Sequence, residues 1–253
     1  MHARHHARGW VPDGEHDVAP FHPRPAEHVV LPVHKDLRGK LPAAWNQGAI
    51  QSCTAHALGA ALWVLRPGVM VSRLALYWLA RRERGTLPFD SGAMLRHAVA
   101  GLMQSGVVGE AQWRYRPVPG RGAQARFGHR APPVLPPPAG HPAAVVPFRL
   151  AQEARALKSC LADGYPVAFG FYAHASFRDR NGRWRRVMPV PRAGEAVLGG
   201  HAVAAVGYDD RRQALLIRNS WGPGVQEGGH FWMPYAAALD PAVATDFWTL
   251  RRR

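Results

Sequence analysis

A cysteine at the start of an apolar helical pattern is the first residue in this sequence that could do chemistry. Cys53 lies in the stretch NQGAIQSCTAHA and is one of only two cysteines in 253 residues. A helix N-terminus and a nearby imidazolium can lower a cysteine pKa from about 8.5 to roughly 3.5–7.5. We therefore interpret Cys53 as a candidate nucleophile, which needs an imidazole, an orienting group and an oxyanion donor.

Three residues elsewhere have the chemistry that such a nucleophile requires. His201 in GGHAVAAVGYDD could form an ion pair with the thiolate, and the amide of Asn219 in LIRNSWGPG could accept a hydrogen bond from its other ring nitrogen. Gln47, on the loop before Cys53, could donate a side-chain N–H to an oxyanion beside the backbone N–H of Cys53. The four residues together predict acyl transfer.

These residues resemble the papain-like cysteine peptidases. The segments NQG and SC, then GHAVAAVGY and NSWG, occur in the order of that family, and the histidine follows the cysteine by a spacing within the family's usual range. The resemblance implies that Cys53 is the nucleophile, His201 the general base and acid, Asn219 the orienting amide and Gln47 the oxyanion donor. It also implies a two-lobed α+β fold, with a helical lobe and an antiparallel β-rich lobe on either side of the active-site cleft.

The resemblance extends to substrate binding. The segment FDSGAML resembles the rim of the family's substrate cleft and places Gly92 near a substrate backbone. The segment GYPVAFGF, which contains Gly170, resembles a strand that lines the main specificity pocket. Gly200, next to the histidine, and Trp221, which resembles the indole that covers the His–Asn hydrogen bond, complete the predicted substrate-binding set.

The sequence departs from the family pattern at several positions. Ile50 and Thr54 stand where the family signature has a cysteine and an aromatic residue, and this difference favours a prokaryote-like, bacterial branch. Val225 and Gln226 stand where tryptophan and glycine are common, so the tightness of that loop is in question. Only 52 residues precede Cys53, and the inhibitory proregion of lysosomal relatives does not fit, so we expect the chain either to lack zymogen control or to use its His-rich extension differently.

Periodicity and composition divide the chain into four parts. Residues 1–40 are rich in His, Arg and Pro and predict a loosely ordered or surface-draped extension. Residues 41–115 predict helices, the first capped by Ser52, and residues 116–146 form a Pro- and Gly-rich connector. Residues 147–253 predict a short helix and then a β-rich lobe, with strands in PVAFGFY, GHAVAAVGY, ALLIRNSW and GGHFWMPY.

Composition limits the partners and the location. The net charge is +15, but the basic residues are scattered and follow no nucleic-acid-binding pattern, so we expect solvated surface, and nucleic acid is an unlikely partner. No membrane partner is expected because no apolar run is long enough to span a bilayer, and no signal peptide is recognisable. With few cysteines, these features predict a cytoplasmic protein, although a Cys53–Cys160 disulfide stays open.

The leading hypothesis is a cysteine peptidase that hydrolyses peptide bonds through a Cys-His-Asn triad and a thioester acyl-enzyme. We expect a peptide or protein substrate and no metal or organic cofactor; the sequence indicates no oligomeric state. Three alternatives remain at this stage: a papain-like acyltransferase or transpeptidase, a catalytically inactive papain-like module that binds peptides or proteins, and a polyanion-binding protein.

Overall fold

A computed structural model describes residues 9–14, 20–21, 30–116 and 139–252 of the chain. The described residues form a mixed α+β structure of helices packed against one eight-stranded sheet. The helices are α1 (Cys53–Leu65), α2 (Arg73–Arg84), α3 (Leu95–Ser105), α4 (Ala154–Ala162) and α5 (Tyr235–Ala238). The strands are β1 (Pro20–Phe21), β2 (His34–Asp36), β3 (Val145–Leu150), β4 (Val167–His174), β5 (Val197–Asp209), β6 (Ala214–Arg218), β7 (His230–Pro234) and β8 (Ala244–Arg252).

The three helices predicted in the first half of the chain are present. Helix α1 is buried around almost its whole circumference, as expected of an apolar helix enclosed by other elements. The prediction that Ser52 caps it is wrong, because the Ser52 hydroxyl bonds the Tyr115 hydroxyl instead. Helix α3 ends at Ser105, and Gly106 caps it. No helix in the described part of the chain is long and apolar enough to cross a membrane.

The four predicted strands lie next to one another in the sheet. The strand order is β1-β3-β8-β4-β5-β6-β7, and β2 pairs with β5 outside this path. Strands β4 to β7 are the predicted ones, and neighbours among them are antiparallel. The sequence analysis missed β8, which pairs between β3 and β4 and completes the sheet.

Two clusters of buried side chains form the core of the described structure. One joins α4 to the inner face of the sheet, and the other lies among α1, α2 and α3. Cys160 belongs to the first cluster and Cys53 to the second, and both are free thiols, so the disulfide alternative is wrong. The architecture is the expected two-lobed α+β fold. The domain boundaries stay a prediction, and residues 117–138 of the predicted connector lie outside the described residues.

Some described residues near the N-terminus are more buried than predicted. Trp10 and Asp13 have only 3% and 1% of their surface exposed, and β2 pairs with β5. The prediction of a surface-draped extension is therefore wrong for these residues. The prediction was wrong because composition does not report tertiary burial: Trp10 and Asp13 fill a gap between the two lobes.

The pairing of β2 with β5 gives a test of the fold. A Cβ at Gly207 would overlap the backbone carbonyl of Lys35, whereas a Cβ at Gly39 would meet nothing within 4 Å. We expect Gly207→Ala to lower the free energy of unfolding by about 1–3 kcal/mol because β2 must shift. Urea unfolding measures this change, and equal stability of Gly207→Ala and Gly39→Ala would contradict the close approach.

Candidate active site

The sulfur of Cys53 is buried where α1 meets β5. Cys53 is the first residue of α1 and has no exposed surface. The backbone N–H groups of Cys53, Thr54 and Ala202 all interact with its sulfur. Since Ala202 directly follows His201 in β5, the candidate nucleophile lies beside the strand that carries the candidate base.

Burial controls the ionisation of this thiol in the described arrangement. Desolvation raises the pKa of Cys53 to about 12, although the three backbone N–H groups act to lower it. The sequence predicted a lowered pKa from the helix N-terminus. That prediction is wrong here because the loss of water outweighs the favourable dipoles, and Cys53 is a neutral thiol in this state.

His201, Asn219 and Trp221 form one cluster next to this thiol. The Nε2 atom of His201 lies 2.9 Å from Oδ1 of Asn219. An amide oxygen only accepts hydrogen bonds, so Nε2 carries the proton in the neutral ring and Nδ1 carries the lone pair. The Trp221 indole stacks on the imidazole, with the ring centroids 4.7 Å apart and an interplanar angle of 23°.

Gln47 is held by groups that determine which way its amide points. Its Oε1 accepts a hydrogen bond from Ser220 Oγ at 2.6 Å, and its Nε2 donates to the carbonyl of Ile50 at 2.8 Å. The backbone N–H of Gln47 also donates to Ser220. One N–H of the amide is therefore engaged by the loop that leads to Cys53, and a second N–H remains on the same nitrogen for another acceptor.

Residues 9–11 lie in extended form across the mouth of this site. A Cβ at Gly9 would come within 2.7 Å of the Cys53 sulfur, so only a glycine fits at this point. The N–H of Ala93 donates to the Gly9 carbonyl at 2.9 Å, and the N–H of Val11 donates to the Ala93 carbonyl at 3.1 Å. This parallel pairing covers Cys53 with the chain's own backbone.

The Trp10 side chain fills a pocket whose walls contain two of the predicted substrate-binding glycines. A Cβ at Gly170 would overlap the indole ring, and a Cβ at Gly200 would lie 2.9 Å from it. Tyr172 contacts the indole edge to face, with the centroids 5.3 Å apart. Gly92 directly precedes Ala93, which pairs with the segment, so all three predicted glycines surround residues 9–11.

Asp13 anchors the chain just after residues 9–11. Its backbone N–H donates to Oδ2 of Asp246 at 2.8 Å, and its carboxyl group accepts from the N–H of Arg96 and the indole N–H of Trp248. Burial raises the pKa of Asp13 to about 6, and the neighbouring Asp246 adds to this effect. The sequence gives no local signal for Asp13, because its partners are all distant in the chain.

Asp90 links the loop before Cys53 to the rim of the cleft, and the sequence analysis did not identify it. Its carboxylate accepts hydrogen bonds from the N–H of Gln51 and the hydroxyl of Tyr77. The same hydroxyl accepts from the N–H of Gly92 at 3.1 Å. The aspartate in FDSG was a possible signal, but nothing in the sequence identified Tyr77 as its partner.

His56 does not compete with His201 for a role in the chemistry. Its Nδ1 lies 3.0 Å from the carbonyl oxygen of Ser52, one turn earlier. Burial, with the charge of Arg73, lowers the pKa of His56 to about 3. The imidazole is therefore neutral, which fits a structural residue.

Comparisons with known proteins give matches over most of the chain. Xylellain, a cysteine protease from Xylella fastidiosa, is 32% identical, with a TM-score of 0.85 over 100% of this chain and 98% of that one. A peptidase C1-like protein of Acanthamoeba polyphaga mimivirus, uncharacterised, is 30% identical over 226 residues, which cover 81% of this chain and 68% of that protein.

A more distant structure shows the same fold. Procathepsin B of Trypanosoma congolense is 13% identical, with a TM-score of 0.68 over 98% of this chain and 86% of that chain. No family model matches the sequence. The identity and coverage of the two nearer relatives, on a fold with this cleft, assign the chain to the papain-like cysteine peptidases.

Proposed function

We propose that this peptidase hydrolyses peptide bonds with Cys53 as nucleophile, His201 as general base and acid, Asn219 as the orienting amide and Gln47 as an oxyanion donor. The observation that carries the proposal is the hydrogen bond between His201 and Asn219. The residue after His201 in the same strand, Ala202, has a backbone N–H that interacts with the Cys53 sulfur. The peptidase activity follows from membership of the family, whereas the roles of the four residues are our inference.

The proposed reaction has two steps. His201 takes the thiol proton of Cys53, and the thiolate adds to the substrate carbonyl carbon. The backbone N–H of Cys53 and the Gln47 amide donate to the oxyanion, and the C–N bond breaks as the imidazolium of His201 protonates the leaving amine. In the second step His201 removes a proton from water, which adds to the thioester and releases the acid and the thiol.

The N-terminal segment supports the proposed substrate-binding role of Gly92, Gly170, Gly200 and Trp221. An extended backbone already lies along the rim that includes Gly92, and a large aromatic side chain already fills the space over the other two glycines. Trp221 would keep water from the His201–Asn219 bond. We infer that the cleft accepts a peptide with a bulky aromatic side chain in this pocket.

The same segment makes the described arrangement a closed one. Gly9 covers the Cys53 sulfur, and Trp10 occupies the pocket, so a substrate can bind only after residues 9–11 leave. Water would then reach the thiol, and the desolvation that raises its pKa would be relieved. We propose that the closed chain is latent and that departure of the segment is the activating step.

The role of Cys53 can be tested directly against the other cysteine. In a chain opened by Trp10→Ala, we expect Cys53→Ala to lower peptide hydrolysis by at least about a thousandfold, since the acyl-enzyme cannot form. Cys160→Ala is the matched control, because Cys160 lies in the core between α4 and the sheet, and its rate per folded molecule should be unchanged. Undiminished hydrolysis by Cys53→Ala would refute the proposal, and products formed with added amines would reveal an acyltransferase instead.

Latency predicts that removal of the Trp10 side chain opens the site. Loss of this buried indole should raise the rate of iodoacetamide alkylation at Cys53 by about tenfold or more, given the free energy of burying a large apolar side chain. Trp63→Ala, which removes an indole near the other end of α1, is the control. Equal alkylation of Trp10→Ala and the unchanged chain, mapped by mass spectrometry, would argue against a closed cleft.

The proposed aromatic pocket predicts a change of preference. In a chain opened by Trp10→Ala, adding Gly170→Val should lower kcat/KM for a peptide with tryptophan two residues before the cleaved bond by about tenfold or more, because the pocket loses its depth. A peptide with alanine at that position should be cut as before. An unchanged ratio between the two peptides would show that this pocket does not select the substrate.

A further inference from the structure

We propose that Gln226 is a positioning residue for the peptidase reaction, which holds the amide of Asn219 so that its oxygen faces His201. The inference rests on the proposed catalytic roles of His201 and Asn219. Gln226 stands at a position where the family commonly has another residue, and the sequence analysis treated it only as a departure from the pattern.

Hydrogen bonds of fixed polarity connect Gln226 to the candidate base. The Nε2 of Gln226 donates to the backbone carbonyl of Arg185 at 3.0 Å, and this carbonyl can only accept. The Gln226 amide is thereby oriented with Oε1 toward Asn219, whose Nδ2 donates to it at 2.8 Å. The orientation of one amide thus determines the orientation of the next.

The other end of the Asn219 amide completes the connection. Its Oδ1 accepts from the backbone N–H of Ser220 at 2.8 Å and lies 2.9 Å from Nε2 of His201. Ser220 holds the oxygen side, and Gln226 holds the nitrogen side. A rotated Asn219 amide would set its NH₂ group against the Ser220 N–H and its oxygen against Oε1 of Gln226, so the two contacts together exclude that orientation.

The backbone at Gln226 indicates that its side chain offsets a conformational cost. Its φ is +58°, in the left-handed region that favours glycine, and Gly228 and Gly229 in the same loop also have positive φ. A glutamine in this conformation carries a conformational cost, and the two hydrogen bonds of its amide help to offset that cost.

Helix α1 packs on the strand that carries His201 and contributes the Cys53 thiol and His56, which is neutral and interacts electrostatically with His201. Glu227, next to Gln226, forms an ion pair with Arg38 at 3.2 Å. The bond from Nε2 to Asn219 matters for the charged ring, because an oriented amide oxygen stabilises the imidazolium and a mobile amide does not.

The test compares two substitutions at Gln226 with a matched one elsewhere. Gln226→Gly keeps the backbone conformation and removes the amide, whereas Gln226→Glu keeps an acceptor for Asn219 and adds a negative charge. Gln213→Gly is the control, since Gln213 also has a positive φ, of 51°, and bonds a backbone carbonyl in the turn between β5 and β6. The measurements, on the full chain opened by Trp10→Ala, are kcat/KM and the rate of Cys53 alkylation as functions of pH.

We expect Gln226→Gly to lower kcat/KM by about fivefold or more, the size of one ordinary hydrogen bond, and to move the alkaline limb of the kcat/KM profile to lower pH. Gln226→Glu should move that limb to higher pH, because a carboxylate near the ring stabilises the imidazolium. Gln213→Gly should leave both kcat/KM and the position of the alkaline limb unchanged. A purely structural role would reduce the amount of folded protein without moving a limb.

The outcomes separate this inference from the proposed function. If the chain opened by Trp10→Ala shows the two-limbed profile and Cys53→Ala abolishes its activity, but Gln226→Gly behaves like Gln213→Gly, only the role of Gln226 is refuted. If Cys53→Ala stays active, the catalytic roles fail and this inference fails with them. The ring N–H signal of His201 in ¹⁵N-edited NMR gives a second measure, and it should broaden or vanish in Gln226→Gly.

Discussion

The packing of helix α1 against strand β5 determines where the reacting groups can lie. Helix α1 begins at Cys53, and the N–H of Ala202 in β5 interacts with the Cys53 sulfur. This contact is made between α1, which is almost wholly buried, and the buried part of β5 that begins at His201, so neither can shift there without opening the core. The sheet then places Asn219, at the end of β6, beside His201, because β6 is the antiparallel neighbour of β5.

The orientation of two amide side chains, Gln47 and Asn219, determines which hydrogen-bonding groups face the reacting residues. A primary amide is nearly symmetric in shape, so only its partners decide which end faces the chemistry. Ser220 contributes to both cases, since its hydroxyl donates to Gln47 and its backbone N–H donates to Asn219. One residue between β6 and the following loop thus helps to orient both the candidate oxyanion donor and the amide that faces the imidazole.

The sequence predicts the parts of this molecule that local patterns encode. Cys53, His201 and the strands of the second half stand in short motifs whose order and spacing are distinctive, so the fold and the candidate site residues could be named in advance. Trp10 could not, because its burial depends on two glycines about 160 and 190 residues later in the chain. Strand β8 was missed because its pairing with β3 on one side and β4 on the other makes it a strand, and not an alternation of polar and apolar residues. The raised pKa of Cys53 also needed the tertiary structure, since desolvation cannot be inferred from a helix N-terminus.

The Asp13 carboxyl couples the closed cleft to proton uptake. Its pKa is about 6 in the docked segment, against 3.8 for an ordinary aspartate, so docking draws a proton from solution between these values. The sign follows from linkage: the raised pKa disfavours docking above pH 6, and this cost falls away as the pH drops toward 4. If residues 9–11 leave the cleft as proposed, acid favours the docked segment and a rise in pH favours its release, so the carboxyl that anchors the segment also makes its docking depend on pH.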